Sequence, residues 1–275
     1  PEVSFIYFSV DQMRITVVDS EKDQFLVHVS TFIVHDGKTI LAVYPKGHGR
    51  GAIVYKKSPD GGRTWGERQP TPASWATSRE VPTLHRMQGP DGKRRIILWS
   101  GLYPARNAIS EDEGTSWSEL KKAGNCGGIV VMGSHLKMST GQGHYMCVFH
   151  DDGRFYSDRG KLAKPVEFSL YRTLTRDGGL SWSSPEVLQR DTSVHLCEPG
   201  LVRSPDGSQI AMLLRENARR KNSHIMFSDD EGSTWSMPRE LPITLTGDRH
   251  TCRYAADGRL IIAVSYTHLT LPTKA

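Results

Sequence analysis

Short apolar runs recur along this chain, and an Asp-Gly pair introduces each of them. Asp36-Gly37 precedes Ile40-Leu41-Ala42-Val43, and Asp91-Gly92 precedes Ile96-Ile97-Leu98-Trp99. Asp206-Gly207 precedes Ile210-Ala211-Met212-Leu213-Leu214, and Asp257-Gly258 precedes Leu260-Ile261-Ile262-Ala263-Val264. Asp-Gly between two apolar runs marks a tight β-hairpin, because these residues tolerate the positive φ of the turn.

A second motif is interleaved with the first. Residues 58–65 (SPDGGRTW), 110–117 (SEDEGTSW), 175–182 (TRDGGLSW) and 228–235 (SDDEGSTW) share the pattern Ser/Thr-x-Asp-x-Gly-x-Ser/Thr-Trp. The Asp can bond N–H groups of its own turn, the Gly can take φ > 0, and the Trp is a large apolar plug. The box aspartates Asp60, Asp112, Asp177 and Asp230 lie 52, 65 and 53 residues apart. A period near that length means an array of equivalent units, most simply propeller blades. Each unit reads as strand, Asp-Gly turn, strand, loop, strand, box and strand, a four-stranded antiparallel blade. Blades are expected over residues 25–72, 77–122, 123–187 and 194–241, with a polar insert at 150–165. A fifth blade begins near Gly247. Residues 1–24 read as strands outside the first blade.

The four boxes resemble the Asp-box (BNR) repeats of the sialidase superfamily. The resemblance implies an all-β, sialidase-like β-propeller of the six-bladed type, of which about four blades and fragments fall within residues 1–265. The remainder of the fold is then expected to be missing from the C-terminal side. The box is a structural corner, so it speaks to fold more strongly than to reaction.

Composition narrows the field. The 275 residues are 37% hydrophobic and 24% charged, as in ordinary soluble domains. The net charge is +5 without a Lys/Arg run, which ranks nucleic acid low among partners. No stretch approaches the length and apolarity of a membrane span. Cys126, Cys147, Cys197 and Cys252 show no CxxC spacing, so no metal site or cofactor is expected, and isolated buried thiols are. No signal peptide is visible. The family resemblance favours a secreted or periplasmic location. Residues 266–275 break the pattern and read as a non-native tail.

Antiparallel blades put the Asp-Gly turns and boxes on one rim. The starts of the first strands and the loops between second and third strands lie on the other, around a central channel. Aligned by their Asp-Gly turns, the blades place His28, Glu80, Glu198 and His250 at similar first-strand positions. The rim loops add Arg50, Arg106, Arg215 and, beside His250, Arg249. Guanidinium groups suit bidentate capture of a carboxylate, so an anionic glycan is the expected partner.

The resemblance assigns some of these residues. Glu198-Pro199 followed by Arg215-Glu216-Asn217 is similar to the sialidase Glu-Pro motif and its strand ending in Arg-x-Asn. Glu198 then resembles the partner of the tyrosine nucleophile, and Arg215 the second carboxylate-binding arginine. The first arginine is replaced by His28, and the loop that normally carries the acid/base Asp holds no carboxylate. The nucleophilic Tyr and the third arginine would lie beyond Ser265. Three readings follow: an exo-glycosidase acting on a terminal acidic sugar, a non-catalytic propeller binding glycans or protein through aromatics such as Trp75 and Tyr103, and a lyase with His28 or His250 as base. In the first, Glu80 and Glu198 can form an acid/base pair.

Overall fold

The structure is a computed structural model that describes residues 15–156 and 164–265. It contains four successive antiparallel sheets and a final hairpin. Strands β1 (Ser30–Ile33), β2 (Ile40–Pro45) and β3 (Ile53–Ser58) form the first sheet. The second consists of β4 (Thr83–Gln88), β5 (Arg94–Ser100), β6 (Arg106–Ser110) and β7 (Lys121–Lys122). The third consists of β8 (Ile129–Lys137), β9 (Tyr145–Asp151), β10 (Phe168–Thr175) and β11 (Glu186–Asp191). The fourth is β12 (Leu196–Arg203), β13 (Ile210–Glu216), β14 (His224–Ser228) and β15 (Arg239–Glu240), and the hairpin is β16 (Asp248–Tyr254) with β17 (Leu260–Ser265). The first strands β1, β4, β8, β12 and β16 pack in sequence side by side, as propeller blades do around an axis.

The second strands are apolar on both faces because they lie inside each blade. Leu41, Ile97, Met146 and Met212 are fully buried. Separate clusters fill the space between neighbouring blades: Leu41, Tyr55 and Trp75 with Leu98, then Ile97 and Trp99 with Cys147, then Met146 with Met212 and Leu214. All four cysteines are buried free thiols.

Three expectations need correction. The first blade lacks an outer strand. After its box, residues 66–69 run beside β3 without forming a strand: the Gly66 and Gln69 N–H groups donate to the Lys57 and Tyr55 carbonyls at 3.0 and 2.8 Å, and Arg68 donates to Asp19 and Glu21. Residues 15–24 form no strand but pack as an irregular segment, with Tyr44 donating to Asp19 at 2.5 Å. Residues 1–14 and the tail from 266 lie outside the described residues. Trp75 is not a surface aromatic: it is fully buried against Tyr55 and Trp117, where the blade interface excludes water.

Each box closes on itself as its residue types require. Asp177 accepts the Thr175 hydroxyl at 2.7 Å and the N–H groups of Leu180 and Ser181 at 2.9 and 3.0 Å. Thr175 Oγ1 accepts the Gly179 N–H at 2.9 Å, and Trp182 Nε1 donates to the Gly179 carbonyl. Burial would raise the Asp177 pKa, but these donors hold it below the usual carboxylate value. The boxes also stitch blades together. Glu113 accepts the His35 N–H of the preceding blade and Arg86, and Glu231 does the same with the Ser139 N–H and Arg203. In the third blade Gly178 replaces the glutamate, and a Cβ there would lie 2.5 Å from the Gly89 nitrogen. These contacts confirm that the boxes and the Asp-Gly turns share one rim. Asp177→Ala should therefore cost about 1–3 kcal/mol of stability through the turn donors it leaves unpaired. Denaturant unfolding measures the cost, and ligand binding at the opposite rim should stay unchanged.

Candidate active site

The opposite rim is irregular where the first strands begin. His28, Val130, Glu198 and Arg249 all have φ between 50 and 56°. In three of these blades the pairing shifts register at that point, between 129 and 134, 197 and 200, and 248 and 251. A non-glycine residue in this conformation costs on the order of 1–3 kcal/mol, so four at one rim mark a place where geometry is worth strain. The bulge re-aims the side chain that follows the break toward the axis. It also corrects the alignment by one residue: Arg249, not His250, is the counterpart of Glu198. His250 corresponds to Pro199 and lies beside Gly200, whose Cβ would meet the His250 carbonyl at 2.1 Å.

Glu198 is held from several sides. Its Oε1 accepts from Arg215 Nη1 at 2.9 Å, and its Oε2 accepts the main-chain N–H of Arg249 at 3.1 Å. The Glu198 N–H donates to His150 Nδ1 at 3.3 Å, and burial pushes His150 down to about 3, so the ring is neutral. Arg215 also pairs with Asp248 at 3.2 Å, which Arg219 holds at 2.6 Å. Burial by itself would lower the Arg215 pKa, yet Glu198 and Asp248 raise it above its ordinary value.

Glu80 stands before β4 rather than on it, and it is 7% exposed. Its Oε1 accepts the Val81 N–H at 2.7 Å. Burial raises its pKa to about 7, with the Glu198 charge pushing the same way and Arg249 and Arg50 opposing. Glu80, Glu198, Arg249 and Arg50 thus lie within electrostatic reach of one another. No hydrogen bond or ion pair among the described residues engages the guanidinium of Arg249 or Arg50.

Glu198 and Arg249 border a channel of about 800 Å³ that runs along β1, β4, β8, β12 and β16, whereas Glu80, Arg50 and Arg215 are not among its lining residues. His28, His48, Glu198, Arg249 and His250 line it. Burial lowers His28 to about 4, with Arg249 adding to the effect, so this ring is a weak base at neutral pH. His250 Nε2 lies 3.1 Å from the Leu245 carbonyl, which fixes it as a hydrogen-bonded wall residue. Arg106 is held away from the channel, donating to the hydroxyl and carbonyl of Thr77 at 2.8 and 2.7 Å. His150 opens the polar insert at 150–165 without a role assigned to it there, and Asp248 has no motif to announce it. Asp248 shows only as the residue that precedes Arg249, as Cys197 precedes Glu198.

The architecture and its box corners define an all-β propeller with a sialidase-like repeat. The chain belongs to the BNR repeat-like domain family, whose description matches residues 94–271. Solved structures agree on the fold. A protein of unknown function from Dyadobacter fermentans aligns with a TM-score of 0.69 at 17% identity, over 92% of this chain and 78% of that one. An endo-arabinase from Bacteroides thetaiotaomicron gives 0.55 at 13%, over 86% and 88%. A variant of the NanB sialidase from Streptococcus pneumoniae gives 0.58 at 11%, over 96% of this chain but 61% of the sialidase. The search of curated proteins returned no match. Among the described residues, no helix is long and apolar enough to cross a membrane.

Proposed function

We propose that the protein is a sialidase-like exo-glycosidase that removes a terminal acidic sugar from a glycan. One observation carries the reading: a buried carboxyl with its pKa raised to about 7, Glu80, shares a rim with Glu198 and two arginines that have no anionic hydrogen-bond partner among the described residues. Arg249 and Arg50 take the sugar carboxylate, which supplies the negative charge that the pocket lacks. Glu80 donates its proton to the glycosidic oxygen as the bond to the anomeric carbon breaks. Glu198, clamped by Arg215, serves as the base on the other side, toward water or toward a nucleophile. The sialidase and arabinase structures that share the fold act on glycans, which supports the substrate class.

The test is turnover of fluorogenic glycosides of N-acetylneuraminate, glucuronate and galacturonate beside their neutral counterpart, galactose. Release from at least one acidic glycoside, and none from the galactoside, is the expected result. Equal release from acidic and neutral substrates, or none from any, refutes the reading.

A further inference from the structure

We infer that the channel mouth carries a second sugar subsite, an aromatic shelf formed by Phe25, His48 and His28 that takes the neutral ring next to the acidic one. The inference rests on the functional reading above for its direction, since it places the leaving group of that substrate. The ring centroids of Phe25 and His48 are 5.7 Å apart, and those of His48 and His28 are 5.0 Å apart. All three side chains line the channel that also holds Glu198 and Arg249. Phe25 is 56% exposed and His48 is exposed, so their faces are open to a ligand.

The shelf is built into the backbone. The loop between β2 and β3 passes through Gly47, Gly49 and Gly51, with φ of 135, 79 and 134°. A Cβ at Gly51 would lie 2.1 Å from the Lys46 carbonyl, and one at Gly47 would lie 2.6 Å from the Arg50 carbonyl. Only glycine fits those approaches, so the loop is a preset fold that presents His48 and Arg50 side by side. Leu26 bridges to Lys46 and Gly47, and this pairing sets Phe25 over His48. One short loop thereby joins an anion-binding arginine to an aromatic platform.

The chemistry selects the occupant. The C–H face of a neutral pyranose stacks on aromatic rings, while its hydroxyl edge stays in water. His28 is neutral because burial and Arg249 lower it to about 4, so the shelf adds no cationic charge at that ring. An acidic ring on Arg249 and Arg50 would therefore place the adjoining neutral ring on Phe25 and His48.

The experiment follows the aromatic NMR signals of the full chain, labelled at Phe and His, during titration with lactose, N-acetylneuraminate and 3'-sialyllactose. Lactose should shift the Phe25 and His48 signals at about 50 mM, above the millimolar affinity expected of one stacked ring. Sialyllactose should bind about tenfold tighter than N-acetylneuraminate. Phe25→Ala should remove that tenfold gain and the lactose shifts, and Phe25→Trp should keep both. Absence of lactose shifts in the parent protein, or an unchanged gain in Phe25→Ala, overturns the shelf. Lactose shifts without any binding of N-acetylneuraminate, and likewise none of glucuronate or galacturonate in the same titration, leave the shelf standing and defeat the functional reading.

Discussion

Glu80→Gln should lower turnover of an acidic glycoside by roughly 10²–10⁴-fold, the range that general acid catalysis contributes. The loss should be largest for poor leaving groups, which need the proton most. In the parent protein kcat/KM should fall as pH rises through about 7, where Glu80 gives up its proton. The variant should lose that limb. Stability moves with the same proton. The folded-state pKa lies above the ordinary 4.5, so the native state binds the proton more tightly than the unfolded state between those values. The Glu80 contribution to stability is then greatest below 4.5 and is lost as pH rises to about 7. The decline is about 3 kcal/mol at most, at 1.36 kcal/mol per unit. Denaturant unfolding of Glu80→Gln should lack that slope. A variant with full activity and an unchanged pH profile would remove Glu80 from the chemistry.

Arg215→Ala should be the most damaging single change at this rim. The guanidinium lies between Glu198 and Asp248, whose side chains are 12% and 7% exposed. Removing it takes the shared cation from two poorly solvated carboxylates, while Arg219 stays on Asp248. Breaking a buried ion pair from one side costs about 3–5 kcal/mol. Partial exposure of Arg215 puts the expectation near ~3 kcal/mol. Arg215→Lys should recover only part of it, because an ammonium group cannot fork between two carboxylates. Thermal unfolding reads the stability, and loss of ligand binding in the lysine variant, while still folded, reads the misplacement of Glu198. A change below about 1 kcal/mol would show the network to be dispensable.

The repeat units could be read from the sequence because their turns are local. Asp36-Gly37 and the box at 228–235 satisfy their own donors within a few residues, and pattern is enough to find such elements. The resemblance singles out Glu198 and Arg215, the latter as a carboxylate-binding arginine; their pairing across the β12–β13 hairpin is a feature of the structure that the motif does not state. The departures come from contacts across the chain. Arg68, beside the third strand of the first blade, pairs with Asp19 and Glu21, almost fifty positions earlier, and nothing in its own segment signals that. Arg106 was grouped with the site by its rim loop, yet Thr77 captures it. The one-residue slip between Arg249 and His250 arose because turn-based alignment cannot detect a bulge. Glu80 was aligned as a strand residue, but the structure places it in the loop before β4, where its carboxyl still reaches Glu198 and Arg249 electrostatically.

To serve as the proton donor, Glu80 must keep its proton near neutrality beside Glu198 and the arginines. Carboxyl-detected ¹³C NMR titration of the glutamates, with Glu80→Gln to assign the signal, tests it directly. Glu80 should titrate near pH 7, and Glu198→Gln should move the midpoint down, since a like charge is removed. A Glu80 midpoint in the ordinary glutamate range of about 4–5, unmoved by Glu198→Gln, would contradict it.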